Sequence, residues 1–75
     1  MRIKINGEEY STEKDTVTEL LREMDIVPER VAVEVNFAVI KRSAFGTFRL
    51  KDGDSVEIVY FVGGGQLICR RNYGR

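Results

Sequence analysis

Histidine is missing from this chain of 75 residues, and cysteine and proline occur once each, at Cys69 and Pro28. Without histidine, the usual imidazole base and the usual zinc sites are nearly excluded, and no metal site is expected. A lone cysteine cannot close an internal disulfide, which agrees with a reducing compartment. No apolar run approaches the roughly 20 residues of a membrane helix. The opening MRIKINGEEY lacks the apolar stretch of a signal peptide, so a cytoplasmic location and no membrane partner are expected. An excess of charge is missing too, because twelve Lys and Arg balance twelve Asp and Glu. The balance is uneven along the chain. Residues 1–65 hold nine bases against twelve acids, a net −3, and residues 66–75 hold only Arg70, Arg71 and Arg75. An acidic body argues against nucleic acid as a partner, since phosphate contacts need clustered bases.

What is present is enough for one small domain. An apolar fraction of 43% is ordinary for a folded chain. RIKI alternates apolar and charged residues, the period of a half-buried strand, and Asn6-Gly7 supplies the positive φ angles of a tight hairpin turn. Tyr10 and its neighbours form the returning strand. In DTVTELLREMD, Val17, Leu20, Leu21 and Met24 fall on one stripe of a helix. Thr16 and Glu19 fit a capping box, with Asp15 as a competing cap, and Pro28 marks the loop that follows.

VAVEVN reads as a third strand with Val31, Val33 and Val35 on one face. Asn36 is a turn residue before the short apolar stretch FAVI. KRSAFGTFRL predicts loops and short turns, with Gly46 as a breaker. Asp52-Gly53 suits a tight bend, and VEIVYFV forms the last strand. That strand is apolar on both faces over Val59–Val62, which suits a central position and a parallel pairing with the first strand. The order ββαβ, a short element, then β predicts an α+β domain of β-grasp type. One main helix packs across one face of a mixed sheet of four to five strands.

No intrinsic catalytic constellation emerges. A nucleophile would need lysine or carboxylate as its base, and no spacing supplies one. The acids at Glu8-Glu9 and Asp52/Asp54 read as solvated turn residues, not as an acid–base pair or a calcium loop. The cations Arg70 and Arg71 would favour the thiolate of Cys69; an inert thiol is the preferred reading. Gly63-Gly64-Gly65 is no phosphate loop, because no Lys-Ser/Thr and no helix follow it. Three glycines do make a thin arm with wide φ/ψ freedom, able to thread a narrow channel.

VNFAVIKRS and LKDGDSVEIVYFVGGG, preceded by INGEEY and TVTELLREM, resemble the ThiS sulfur carriers of thiamine biosynthesis over residues 1–65. These are β-grasp relatives of MoaD and ubiquitin. The resemblance implies a protein co-substrate, not an enzyme. A ThiF/MoeB-like adenylating enzyme would use ATP-Mg to convert the terminal glycine carboxylate into an acyl-adenylate, and the carrier itself would bind no cofactor. Sulfur from a cysteine desulfurase relay would then displace AMP, and thiazole synthase would consume the resulting thiocarboxylate. Gly65 would be the reacting residue, Gly64 the second glycine of the pair, and Gly63 an extension of the flexible arm. Phe61, with Val59 and Tyr60, is the candidate docking surface for the adenylating enzyme. The competing reading has Phe61 covered by the segment around Phe45 and Phe48.

Active members of that family end at the glycines, whereas this chain continues with QLICRRNYGR. A processing peptidase that cuts after Gly65, an accident of gene prediction or frameshift, and loss of the carrier role are the three explanations. No pattern in residues 66–75 predicts stable structure, so a mobile extension beyond the 1–65 domain is expected. Two functional classes therefore stand. One is a sulfur carrier for thiazole or a related acceptor. The other is a β-grasp interaction module or a ubiquitin-like conjugation tag.

Overall fold

The computed structural model describes the backbone of residues 1–62 and 66–69 and the side chains of residues 1–61. Its elements are β1 (Arg2–Ile5), β2 (Glu8–Ser11), α1 (Val17–Glu23), β3 (Val31–Val35), β4 (Ala38–Ile40), β5 (Ser55–Val62) and β6 (Gln66–Cys69). Single 3-10 turns lie at Pro28–Arg30 and Arg42–Ala44. The strands form a mixed sheet in the order β2-β1-β5-β3-β4, with β6 paired to β5. The expected β-grasp is therefore present, including the parallel pairing of β1 with β5.

Two hairpins owe their shape to residues at positive φ. Asn6 (φ 51°) and Gly7 (φ 86°) join β1 to β2, and their handedness matches the right-handed twist of the strands. Asn36 (φ 52°) and Phe37 (φ 72°) join β3 to β4 in the same way. The apolar stretch read as FAVI is thus divided: Phe37 belongs to the turn, and only Ala38–Ile40 is strand.

Helix α1 begins where its sequence signals place it. The Thr16 hydroxyl accepts a hydrogen bond from the Glu19 amide at 3.2 Å, so Thr16 and not Asp15 is the cap. The helix ends at Glu23, with Met24, the last residue of the apolar stripe, as its C-cap, because Asp25 takes a left-handed φ of 61°. The Asp25 amide then donates to the Arg22 carbonyl at 3.1 Å, and the Ile26 amide to the Leu21 carbonyl at 2.8 Å. This pair of hydrogen bonds to the last turn satisfies carbonyls the helix leaves open.

The core lies between α1 and one face of the sheet. Val17, Leu20 and Leu21 of α1 meet Ile3 and Ile5 of β1, the three valines of β3, and Val56 and Ile58 of β5. Burying each such side chain stabilises the fold by about 1.5–3 kcal/mol before entropy is counted. Phe45 and Leu50, from the long β4–β5 connection, are buried in the same cluster.

Candidate functional site

The candidate site is the C-terminal half of β5, the strand that leads into the three glycines. Its start is clamped from both sides. The Asp54 carboxylate accepts from the Lys51 amide at 2.8 Å and from Asn36 Nδ2 at 3.0 Å. Asn36 also receives the Ser55 amide at 3.0 Å through Oδ1 and donates its own amide to the Ser55 carbonyl at 2.7 Å. On the other side, the Gly53 amide donates to the Arg2 carbonyl and the Lys4 amide to the Asp54 carbonyl. The reading of Asp54 as a solvated acid is thereby corrected. It is buried, and it ties the bend before β5 to the β3–β4 hairpin.

From there β5 has two different edges. One edge pairs with β3 over five residues, from Val56 opposite Val35 to Tyr60 opposite Val31. The other pairs with β1 only at Ser55 and Val56, because β1 turns away at Asn6. Asn6 prolongs that ladder. Its amide donates to the Val56 carbonyl at 2.8 Å, its Oδ1 accepts the Ile58 amide at 2.7 Å, and its Nδ2 donates to the Ile58 carbonyl at 3.2 Å. Sequence reasoning assigned Asn6 to the turn and missed this second task, for which a single sequence carries no signal.

The edge beyond Ile58 is taken by β6. Its register places Ile68 opposite Tyr60 and Gln66 opposite Val62, antiparallel. Since β3 already pairs with Val59 and Tyr60 on one side, β6 must lie on the β1 side. Over Gln66–Cys69 the chain therefore departs from the mobile extension expected of it. The physical reason is tertiary: a central strand left an edge of unpaired backbone, and the short run QLIC supplies a partner for it.

The faces of β5 are also resolved. Val56 and Ile58 are buried against α1, and Tyr60 packs half-buried on the same side. Val59 and Phe61 point to the opposite face, where Phe61 is 39% exposed. The two docking candidates Val59 and Phe61 are thus brought together, and Tyr60 is separated from them. Coverage of Phe61 by Phe45 and Phe48 does not occur, since Phe45 is buried and Phe48 packs on the helix side. Val39 on β4 and Phe37 in the turn before it add exposed apolar surface, a second apolar feature that the sequence pattern did not single out. Gly63, Gly64 and Gly65 lie outside the described residues. A cleft of about 300 Å³ lies beside the end of α1, lined by Thr18, Arg22, Asp25, Ile26, Val27 and Pro28, with no residue of β5. No helix among the described residues is long and apolar enough to cross a membrane.

Comparison with known proteins converges on one family. The model of the ThiS family matches residues 3–65. A thiazole synthase of Magnetococcus marinus is 45% identical over 67 residues, which are 88% of this chain and 21% of that protein. The chain therefore spans about a fifth of that relative's length. The sulfur carrier protein ThiS of Bacillus subtilis is 37% identical over 84% of this chain and 98% of its own length. A crystal structure of the thiamine biosynthesis protein ThiS from Geobacter metallireducens superposes with a TM-score of 0.76. It is 40% identical, covering 87% of this chain and all of that one.

Proposed function

The chain belongs to the ThiS family, sulfur carriers of thiamine biosynthesis, and from that premise we propose that it carries sulfur as a thiocarboxylate on Gly65. A carboxylate is a poor acyl donor, because its charge repels nucleophiles and oxide is a poor leaving group. Attack of the Gly65 carboxylate on the α-phosphorus of ATP, in a ThiF/MoeB-like partner, expels pyrophosphate and leaves an acyl-adenylate. The terminal sulfur of a protein persulfide from a cysteine desulfurase relay then displaces AMP. Cleavage of the remaining S–S bond by a thiol frees the thiocarboxylate for thiazole synthase.

The observation that carries this reading is the run of β5 into the glycines, at the point where the family match ends. The absence of side chains would let these glycines enter a narrow site. A thiazole synthase that contains a segment similar to this chain supports thiazole formation as the destination. The carrier is a substrate of its partners and performs no catalysis itself.

For this chemistry Gly65 must bear a free carboxylate. Hydrolysis of the Gly65–Gln66 amide by a peptidase adds one water, giving that carboxylate and the α-ammonium of Gln66. The test is the intact mass of the protein isolated from its native cell. A species ending at Gly65, part of it heavier by the difference between a sulfur and an oxygen atom, is the expected result. A chain that always retains Gln66 and carries no sulfur would overturn the proposal, and an isopeptide to lysine would make it a conjugation tag.

A further inference from the structure

We infer that the backbone edge of β5 at Tyr60 and Val62 is the place where the adenylating enzyme adds an extended strand, and that β6 holds this place in cis until it is released. The inference rests on the carrier reading above and specifies how the carrier is docked and restrained.

Along a strand, N–H and C=O groups of alternate residues point to the same edge. The bonds to Asn6 show that Val56 and Ile58 present theirs to the β1 side. Tyr60 and Val62 therefore present theirs to that side as well. β1 cannot reach them, because the chain reverses at Asn6-Gly7. In the described fold their partners are Ile68 and Gln66. A chain that ends at Gly65 has no such partner and leaves two residues of a central strand with open donors and acceptors.

An edge of this kind is a ready template for a strand from another chain, by main-chain bonds that need no particular sequence. Its position selects the partner. Val62 immediately precedes Gly63, so an enzyme that grips the glycines must approach along the end of β5. An extended segment flanking its active site would meet Tyr60 and Val62 first. Phe61, exposed on the outer face beside this edge, gives such a segment an apolar contact. The same pairing made in cis by Gln66–Cys69 excludes it, because one edge accepts one strand. The extension thus blocks the arm twice: by covering the Gly65 carboxyl in an amide, and by filling the docking edge.

Amide hydrogen exchange resolved by residue tests both halves. In the full chain, Tyr60 and Val62 should be protected. Ile68→Pro, which removes the N–H opposite Tyr60, should raise their exchange by about tenfold or more while Ile58, held by Asn6, is unchanged. Unchanged exchange at Tyr60 and Val62 would overturn the role of β6. The second measurement uses residues 1–65, a length matched by a solved relative that aligns over its entire chain, with a ThiF-like adenylating enzyme as the probe. Binding should slow exchange at Tyr60 and Val62 by about tenfold or more. The full chain should bind about tenfold more weakly, and Ile68→Pro should recover part of that loss. A complex in which Tyr60 and Val62 exchange as in the free protein would overturn strand docking and leave the carrier reading standing. Absence of any complex with residues 1–65 would remove both.

Discussion

Asn6 and Ile58, 52 residues apart, exchange two hydrogen bonds as paired strand residues do, but one partner uses its side chain. The arrangement lets β1 turn away while β5 continues with its backbone satisfied. Asn6→Gly keeps a residue that tolerates positive φ and strips both bonds from Ile58. It is expected to cost about 2 kcal/mol, the usual penalty for buried groups left without partners. Asn6→Ala should lose about 1 kcal/mol more, from the left-handed backbone. Urea unfolding of the pair reads both numbers, and equal stability of the two variants would remove the backbone contribution.

The Asn36–Asp54 contact invites an exchange of its two residues. Asp54→Asn alone turns an amide group towards a donor, either Asn36 Nδ2 or the Lys51 amide, and should cost about 1–3 kcal/mol. Adding Asn36→Asp restores every donor–acceptor pair with the roles reversed, since the new carboxylate can still receive the Ser55 amide. The double variant should recover at least half of the loss. Simple additivity of the two changes, measured in a double-mutant cycle, would show that the contact carries no coupling.

Phe37 is a bulky residue held at φ 72° with 88% of its surface exposed. Phe37→Gly relieves about 1–2 kcal/mol of left-handed strain and raises the entropy of the unfolded chain by about 0.4–1 kcal/mol. The expected outcome is a more stable protein by roughly 0.5–1 kcal/mol, from the same unfolding measurement. A loss of stability would mean that the ring makes contacts worth more than its backbone strain.

Phe45 and Phe61 are one residue type in opposite situations, which separates folding from docking. Phe45→Ala empties a buried site and should cost about 3–5 kcal/mol, a large share of a small domain's stability. Phe61→Ala should change stability by less than about 1 kcal/mol and weaken binding to the adenylating enzyme by about tenfold. Normal adenylation of Phe61→Ala would exclude the ring from docking.

The sequence made the local elements legible wherever a residue acts on its own neighbourhood. Asn6-Gly7, the stripe from Val17 to Leu21, the Thr16 cap and the bend at Gly53 all act within a few residues, and each was found. What it left undecided depends on partners far along the chain. Both faces of β5 are apolar over Val59–Val62, so alternation could not tell whether Tyr60 or Phe61 meets the helix. Burial of Asp54 depends on Asn36, and pairing of Gln66–Cys69 depends on where β1 departs. Neither leaves a trace in its own segment. For the candidate site, the glycines were legible as a composition break, and the edge beside them was not.

Strands β1 and β5, far apart in the chain, are neighbours, with Ile5 beside Val56. Before β5 is synthesised, therefore, the growing polypeptide holds two hairpins and a helix with no strand between them. Folding awaits long-range closure, which places the chain among slower, all-or-none folders for its size. The strand that completes the body is the one that bears the arm. During translation the three glycines emerge only after β5, when every pairing among β1–β5 can already form.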